Sequence, residues 1–376
     1  MYSISAYGRM IADNSRLAAY VAGMRQVIKP GAVVADIGTG PGFFALLSCQ
    51  LGARRVYAVE PDDVIQVAKE AAAANGLSSR IEFIQDFSTK VTFPEKADVI
   101  VSDLRGILPW FQQHLPSILD ARSRLLAPKG ILIAKKDFLW AAAVEVEERY
   151  SKLVGPWRNG KYNIGLTAAL KFVTNAWSKI QIKPAELLSE PVCWYTLDYS
   201  EFHHANLKAK FSLPIERPGT VHGFAVWFDS EVVDGISLSN SPGNEESIYG
   251  NGFFPFPNPV AVRTGDKINV ELRADLIGED YVWQWGTTFA NSEVSFKQST
   301  LFGTPLSPAQ LQKRAATYVP ELTDQGQIDN FILSRIDGKN SVEEIARQLL
   351  VQFPDRFARI DDARDLVAEL STKYSK

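Results

Sequence analysis

Val33-Val34-Ala35-Asp36-Ile37-Gly38-Thr39-Gly40-Pro41-Gly42 decides the fold of this chain. Its apolar start reads as a buried parallel strand, and glycines at alternate positions turn the backbone sharply into Phe43-Phe44-Ala45-Leu46-Leu47. Glycine permits a tight turn and a close approach by a ligand. Further on, Val56-Tyr57-Ala58-Val59 forms a second strand that ends in Glu60. A carboxylate at that tip can accept hydrogen bonds from both hydroxyls of a ribose. The pair of strands predicts a site for a nucleoside cofactor.

Spacing separates the candidate cofactors. A nicotinamide fingerprint requires Gly-x-Gly-x-x-Gly and a helix N-terminus that holds a pyrophosphate. Here the pattern is Asp-x-Gly-x-Gly-x-Gly, with Asp36 two residues before Gly38 and Pro41 inside the turn. A carboxylate there repels a pyrophosphate and suits a cationic sulfonium cofactor with an amino-acid tail. The pattern of Asp36, Gly38, Gly40, Gly42 and Glu60 resembles motif I of class I S-adenosylmethionine (SAM) methyltransferases.

The composition leaves room for that reading. The chain has 376 residues, 46% of them hydrophobic, enough for two or three domains with real cores. A formal net charge of −3 gives no bulk attraction for nucleic acid or an anionic membrane. No apolar run reaches membrane-spanning length, and Met1-Tyr2-Ser3-Ile4-Ser5-Ala6 lacks a signal-peptide pattern, so a cytoplasmic protein is expected. Cys49 and Cys193 lie far apart in apolar surroundings and read as small core residues, with no metal site. His203-His204, on an apparent strand, reads as surface.

Residues 1–145 alternate strands and helices, the mark of a parallel doubly wound sheet. The predicted strands are Val33–Ile37, Val56–Val59, Ile81–Ile84, Val99–Ser102 and Ile131–Ala134, with a helix over Val64–Ala74 closed by Asn75-Gly76. From about 190 the pattern becomes strict alternation: Leu207, Ala209, Phe211 and Leu213; Ile268, Val270 and Leu272; Tyr281, Trp283 and Trp285. Period-2 stripes predict an antiparallel sheet or barrel within 146–300. A third unit, 308–376, reads as helical, with a turn at Ile336-Asp337-Gly338-Lys339-Asn340 and Ser341 capping Val342–Val351. Its pattern suggests a small winged-helix-like module.

The N-terminus carries a more specific likeness. Tyr7-Gly8-Arg9-Met10-Ile11-Ala12-Asp13, followed by Arg16 and Tyr20, is similar to the N-terminal helix of protein arginine methyltransferases. The segments Ser102-Asp103-Leu104-Arg105-Gly106-Ile107-Leu108-Pro109-Trp110-Phe111-Gln112-Gln113-His114-Leu115 and Ala121-Arg122-Ser123-Arg124-Leu125-Leu126-Ala127-Pro128-Lys129-Gly130 resemble that family's acceptor loop and the helix after it. The likeness covers about residues 1–300. It implies a β-barrel after the Rossmann-like domain, a dimerisation arm near 155–190 and therefore a homodimer. It also implies SAM as cofactor, with Arg16 on the SAM carboxylate, Met10 beside the sulfonium, and Asp86 and Ser88 near adenine.

Departures from the family bear on the acceptor. Its loop holds two glutamates that clamp a substrate guanidinium, a cation with a forked donor array. Those positions are Asp103 and Gln112 here. A Thr-His-Trp element that walls the family's acceptor pocket corresponds to Ser247-Ile248-Tyr249, and the resemblance also puts Tyr7 in that pocket. Replacing a buried carboxylate of such a clamp costs a few kcal/mol, roughly, in guanidinium binding. The expectation is a SAM-dependent methyltransferase of a peptide or protein in which Asp103 orients the acceptor or acts as base. The alternatives are transfer to a non-guanidinium oxygen or amide nitrogen of a small molecule or peptide, and a non-catalytic SAM-binding scaffold. Arg105 reads as a partner of Asp103, and Trp110 and Phe111 as core. The last seventy or so residues resemble PqqD-like modules, which implies leader-peptide binding by strand addition.

Overall fold

Val33–Ile37 (β1) is buried at every residue, as an interior parallel strand must be. It pairs with Arg55–Val59 (β2) on one side and Ala97–Ser102 (β4) on the other. Ile81–Ile84 (β3) and Leu126–Ile133 (β5) complete a five-stranded parallel sheet in the order β3-β2-β1-β4-β5. The computed structural model describes residues 2–160, 162–290 and 292–375. It divides into two compact units, Met1–Pro305 and Leu306–Lys376.

Two helices precede the sheet, Ile4–Ala12 (α1) and Asn14–Val27 (α2), and Asp13 caps the second by accepting from the Arg16 amide at 3.0 Å. Phe43–Gln50 (α3) follows the glycine turn, and Ile65–Ala74 (α4) ends at Asn75 and the left-handed Gly76, as predicted. His114–Arg124 (α5) leads into β5. Pro128-Lys129-Gly130 lies inside β5, next to a register shift in its pairing with β4, so that strand begins earlier than the apolar pattern indicates.

The antiparallel part begins at Lys136–Val144 (β6), ahead of residue 146. Every residue from Ala141 to Val144 is fully buried, so the second half of this strand has no alternation to read. Glu147–Arg158 (α6) and Leu170–Val173 (α7) follow. The first antiparallel sheet then collects Ser178–Ile180 (β7), Val192–Asp198 (β8), Gly219–Val233 (β10) and Asn251–Val262 (β12), in the order β7-β12-β10-β6-β8. Leu207–Pro214 (β9) belongs to the second sheet, and Ile236–Ser239 (β11) pairs with β10. Lys267–Ile277 (β13), Asp280–Phe289 (β14) and Ser295–Ser299 (β15) complete the second sheet as β15-β14-β13-β9. The two sheets share an aromatic core. Phe254 stacks on Phe224 at 4.9 Å and meets Trp283 and Trp285 edge-on at 5.7 and 5.2 Å. The predicted stripes of β9, β13 and β14 face this core.

The structure corrects the reading of one cysteine: on β8, beside a register shift in its pairing with β6, Trp194 is buried and its neighbour Cys193 is exposed, whereas Cys49 is buried. His203 and His204 are exposed, on a loop rather than a strand. Within 155–190, Trp177 stacks on Phe254 at 5.6 Å and is part of the core. The outward apolar residues are Tyr162, Ile164 and Leu166. Lys161, in the same segment, lies outside the described residues.

The second unit is built from Pro308–Lys313 (α8), Asp324–Leu333 (α9), Val342–Gln352 (α10) and Ile360–Tyr374 (α11). The last three pack around Ile328, Ile332, Ile345, Leu349 and Val367. Ser341 and Glu344 form a capping box, and Asp337 accepts from the Lys339 and Asn340 amides, which is the turn its sequence predicts. Among the described residues this unit contains no strand, so the wing of a winged helix is missing.

Candidate active site

The carboxyl ends of β1, β2 and β4 open onto a cavity of about 500 Å³, roofed by α1 and α2. The direction of strand order reverses between β1 and β4, where open α/β sheets place their ligands. Of the residues singled out in the sequence, Tyr7, Met10, Arg16, Gly38, Gly40, Glu60, Ser88, Asp103, Gln112 and Tyr249 line it. Asp36, Gly42, Asp86 and Ser247 do not.

The turn after β1 is held from beneath. Glu60 accepts from the Gly40 amide at 3.0 Å and the Asp62 amide at 3.1 Å. Gly40 has φ +52°, and a Cβ there would meet the Tyr7 ring at 2.8 Å. Its missing side chain keeps that wall of the cavity open. Asp36 sits under the turn, fully buried, and accepts from the Thr39 hydroxyl at 2.5 Å. Burial pushes its carboxyl up to about 7, against the lowering effect of the Thr39 and Ala45 donors. Its contribution is to brace the glycine turn from outside the cavity. Burial likewise raises the Glu60 carboxyl. Asp86 caps the Phe87 amide at 2.8 Å, away from the cavity, whereas the neighbouring Ser88 is buried against it.

At the other end, Arg16 and the acceptor loop interlock. Arg16 Nε and Nη2 both donate to Asp103 Oδ2 at 2.5 Å, and Nη1 donates to the Met10 carbonyl at 3.2 Å. The Tyr249 hydroxyl lies 2.8 and 2.7 Å from the two Asp103 oxygens. Arg105 Nε lies 3.4 Å from Asp103 Oδ1, while its Nη1 donates to Asp137 at 2.6 Å and to Ser230 at 2.9 Å. Burial alone would raise the Asp103 carboxyl, but the guanidiniums of Arg16 and Arg105 outweigh it and hold Asp103 below the ordinary carboxylate range. Two guanidiniums thus face two carboxylates, leaving no spare negative charge in this network. Gln112 stands exposed at the rim with φ +42°. Trp110 is core, edge-on to Trp283 at 6.3 Å, while Phe111 lines the cavity.

The Ser247 hydroxyl accepts from the Tyr249 amide at 3.2 Å, and Asp13 holds the Ile248 amide at 2.8 Å. The second of these bonds ties the antiparallel part to the N-terminal cap of α2. Asp13, Thr39, His114, Asp137 and Tyr199 shape the site without having been singled out in the sequence. Asp13 stands at a helix-capping position that could have been found; the others become neighbours only in the folded chain. No group of metal-ligating side chains occurs among the described residues, and no helix among them is long and apolar enough to cross a membrane.

Comparison with known proteins agrees with this geometry. Residues 135–276 match the arginine methyltransferase oligomerization subdomain, and residues 19–152 match the ribosomal protein L11 methyltransferase family. The chain is 30% identical over 256 residues to a probable protein arginine N-methyltransferase 6 of Arabidopsis thaliana, covering 65% of this chain and 58% of that protein. It is 28% identical to an arginine N(omega)-methyltransferase of Streptomyces achromogenes subsp. streptozoticus, covering 70% of this chain and 74% of that protein. Among solved structures, the Trypanosoma brucei PRMT1 enzyme-prozyme heterotetrameric complex with AdoHcy superposes with a TM-score of 0.72 at 19% identity, covering 78% of this chain and 96% of that one. Protein arginine methyltransferase 10 of Arabidopsis thaliana gives 0.69 at 22% identity, covering 79% and 97%. The chain has the two-part fold of the protein arginine methyltransferases, a Rossmann-like sheet joined to a barrel-like antiparallel domain, and resembles them in sequence across both parts.

Proposed function

We propose that the protein is a SAM-dependent methyltransferase of a peptide or protein acceptor, with an acceptor site altered away from arginine. The observation that carries this reading is the convergence of Gly38, Gly40, Glu60 and Arg16 on one cavity at the strand-order switch point. SAM, when bound, supplies an electrophilic methyl group on a cationic sulfur. The donor set fits it. Gly40 leaves the wall open, Glu60 stands at the tip of β2 for ribose hydroxyls, and Ser88 borders the adenine end. Arg16 has five N–H donors and commits three of them to Asp103 and Met10, which leaves two for a carboxylate. Alignment of an acceptor lone pair is the main remaining demand on the protein.

The acceptor end departs from a guanidinium clamp. Asp103 is already neutralised by Arg16 and Arg105, and Gln112 adds no charge. A cationic acceptor would find no uncompensated carboxylate in this balanced network, so an uncharged acceptor fits better. Asp103 serves to organise the loop, since both of its oxygens are occupied and its low proton affinity makes it a poor base. The homodimer would form through the arm, where Tyr162, Ile164 and Leu166 are exposed. Leader-peptide capture by strand addition has no strand edge to use among the described residues of the C-terminal unit.

Calorimetry with S-adenosylhomocysteine tests the cofactor reading. Glu60→Ala should weaken binding by about 1.5–3 kcal/mol per charged hydrogen bond lost. Equal affinity in wild type and variant, or no binding to either, overturns it. Transfer of tritium from methyl-labelled SAM to peptides then tests turnover.

A further inference from the structure

A chain of hydrogen bonds runs beneath the acceptor loop and ends in an unused lone pair. Arg105 donates to Asp137 Oδ1 at 2.6 Å, and the Tyr199 hydroxyl donates to Asp137 Oδ2 at 2.6 Å. A phenol has one proton, and here the carboxylate takes it. The 3.1 Å contact between the Tyr199 hydroxyl and His114 Nε2 must therefore be donated by His114. This fixes the neutral tautomer with hydrogen on Nε2 and leaves Nδ1 as a bare acceptor. Nδ1 is buried without a hydrogen-bond partner, on a ring that is 3% exposed.

His114 borders the cavity together with Gln112, Gln113 and Ser117, whereas Tyr199, its partner at Nε2, does not. A buried acceptor without a donor is destabilising, so a ligand that supplies the donor recovers that energy. Burial, reinforced by Arg105, pushes the imidazole down to about 3. The ring stays neutral and does not serve as a proton sink.

We propose that His114 Nδ1 is the acceptor-side contact of the site, taking a hydrogen bond from an uncharged N–H or O–H group such as an amide or hydroxyl, in preference to a guanidinium. A neutral lone pair orients a neutral donor well but offers no countercharge to a cation that must sit near Arg16 and Arg105. The assignment rests on the methyltransferase reading for the reaction it serves, while the contact itself can be measured without turnover.

The test uses the full chain labelled with 15N-histidine, with and without saturating S-adenosylhomocysteine, titrated with acetamide and separately with methylguanidinium. Acetamide should move the His114 Nδ1 resonance in the direction of hydrogen bonding, and methylguanidinium should not. Two variants separate binding from scaffolding. His114→Gln keeps a donor toward Tyr199 but has no acceptor at the Nδ1 position, so acetamide binding should weaken roughly five- to ten-fold with little loss of thermal stability. His114→Asn retains an acceptor near Nδ1 and loses the Tyr199 bond, so it should be less stable yet still bind. An unmoved wild-type resonance, an equal response to methylguanidinium, or unchanged acetamide binding in His114→Gln overturns the proposal. Absence of S-adenosylhomocysteine binding would instead overturn the cofactor reading, and the cofactor-free titration would still report on His114.

Discussion

Arg16 and Asp103 are 87 positions apart in the chain and meet at 2.5 Å, both side chains almost wholly buried. The first belongs to α2 and the second follows β4, so one ion pair joins the cofactor end of the cavity to the acceptor loop. Tyr249, from the antiparallel part, donates to the same carboxylate. Any change in one of these side chains is therefore felt at both ends of the site.

Asp103→Asn keeps an oxygen for Tyr249 but strips Arg16 and Arg105 of their shared countercharge. Breaking a buried pair in this way costs about 3 kcal/mol or more, which calorimetry should record as a melting temperature several degrees lower. S-adenosylhomocysteine brings a carboxylate to Arg16, so it should raise the variant's melting temperature more than the wild type's. A variant as stable as the wild type contradicts the role given to this pair.

Gln112→Glu places a second carboxylate at the cavity rim. Methylation of arginine-containing peptides, followed with tritiated SAM, should be poor in the wild type and rise roughly ten-fold in the variant, the scale of one charge-assisted hydrogen bond. Efficient arginine methylation by the wild type, unchanged by the substitution, would show that the existing loop already suits a guanidinium.

Asp36 makes stability depend on pH with a definite sign. Its folded carboxyl titrates at about 7, above the ordinary value of 3.8. Between those values the folded chain holds the proton and the unfolded chain releases it, so this group's contribution is full below pH 4 and declines as pH rises toward 7. Asp36→Asn keeps an acceptor for Thr39 and removes the titration. The stability of Asp36→Asn relative to wild type should grow from pH 4 to pH 7 and then level off, as read from melting curves. A difference independent of pH would place Asp36 in a more polar setting than this turn provides.

The exposed arm residues give an assembly test. Sedimentation of the wild type should report a dimer, and Tyr162→Ser with Ile164→Ser and Leu166→Ser should shift it to monomer without changing the melting of the core. These side chains are 94%, 60% and 51% exposed, so their replacement removes no interior packing. A monomeric wild type at micromolar concentration removes the arm from the assembly.

The local sequence determined the parts whose physics is local. Positive-φ glycines, the cap at Ser341, the stop at Asn75-Gly76 and the period-2 stripes of β9, β13 and β14 are matters of backbone conformation and neighbouring side chains, and they were legible before folding. So was the meeting of the Gly38–Gly42 turn with Glu60, because they lie at the ends of adjacent parallel strands joined by one helix. The second half of β6 was not legible, since burial on both faces of Ala141–Val144 erases alternation. Asp36 looked like a ligand contact in the sequence, but the turn it braces stands between it and the cavity. At the acceptor end, the sequence placed Asp103 and Arg105 on one loop, but only tertiary structure brought Asp137, Tyr199 and His114 to them, and Arg105 meets Tyr20 and Ser230 from 85 and 125 residues away. Charge compensation inside a low-dielectric interior is a property of the assembled site, and no spacing along the chain encodes it.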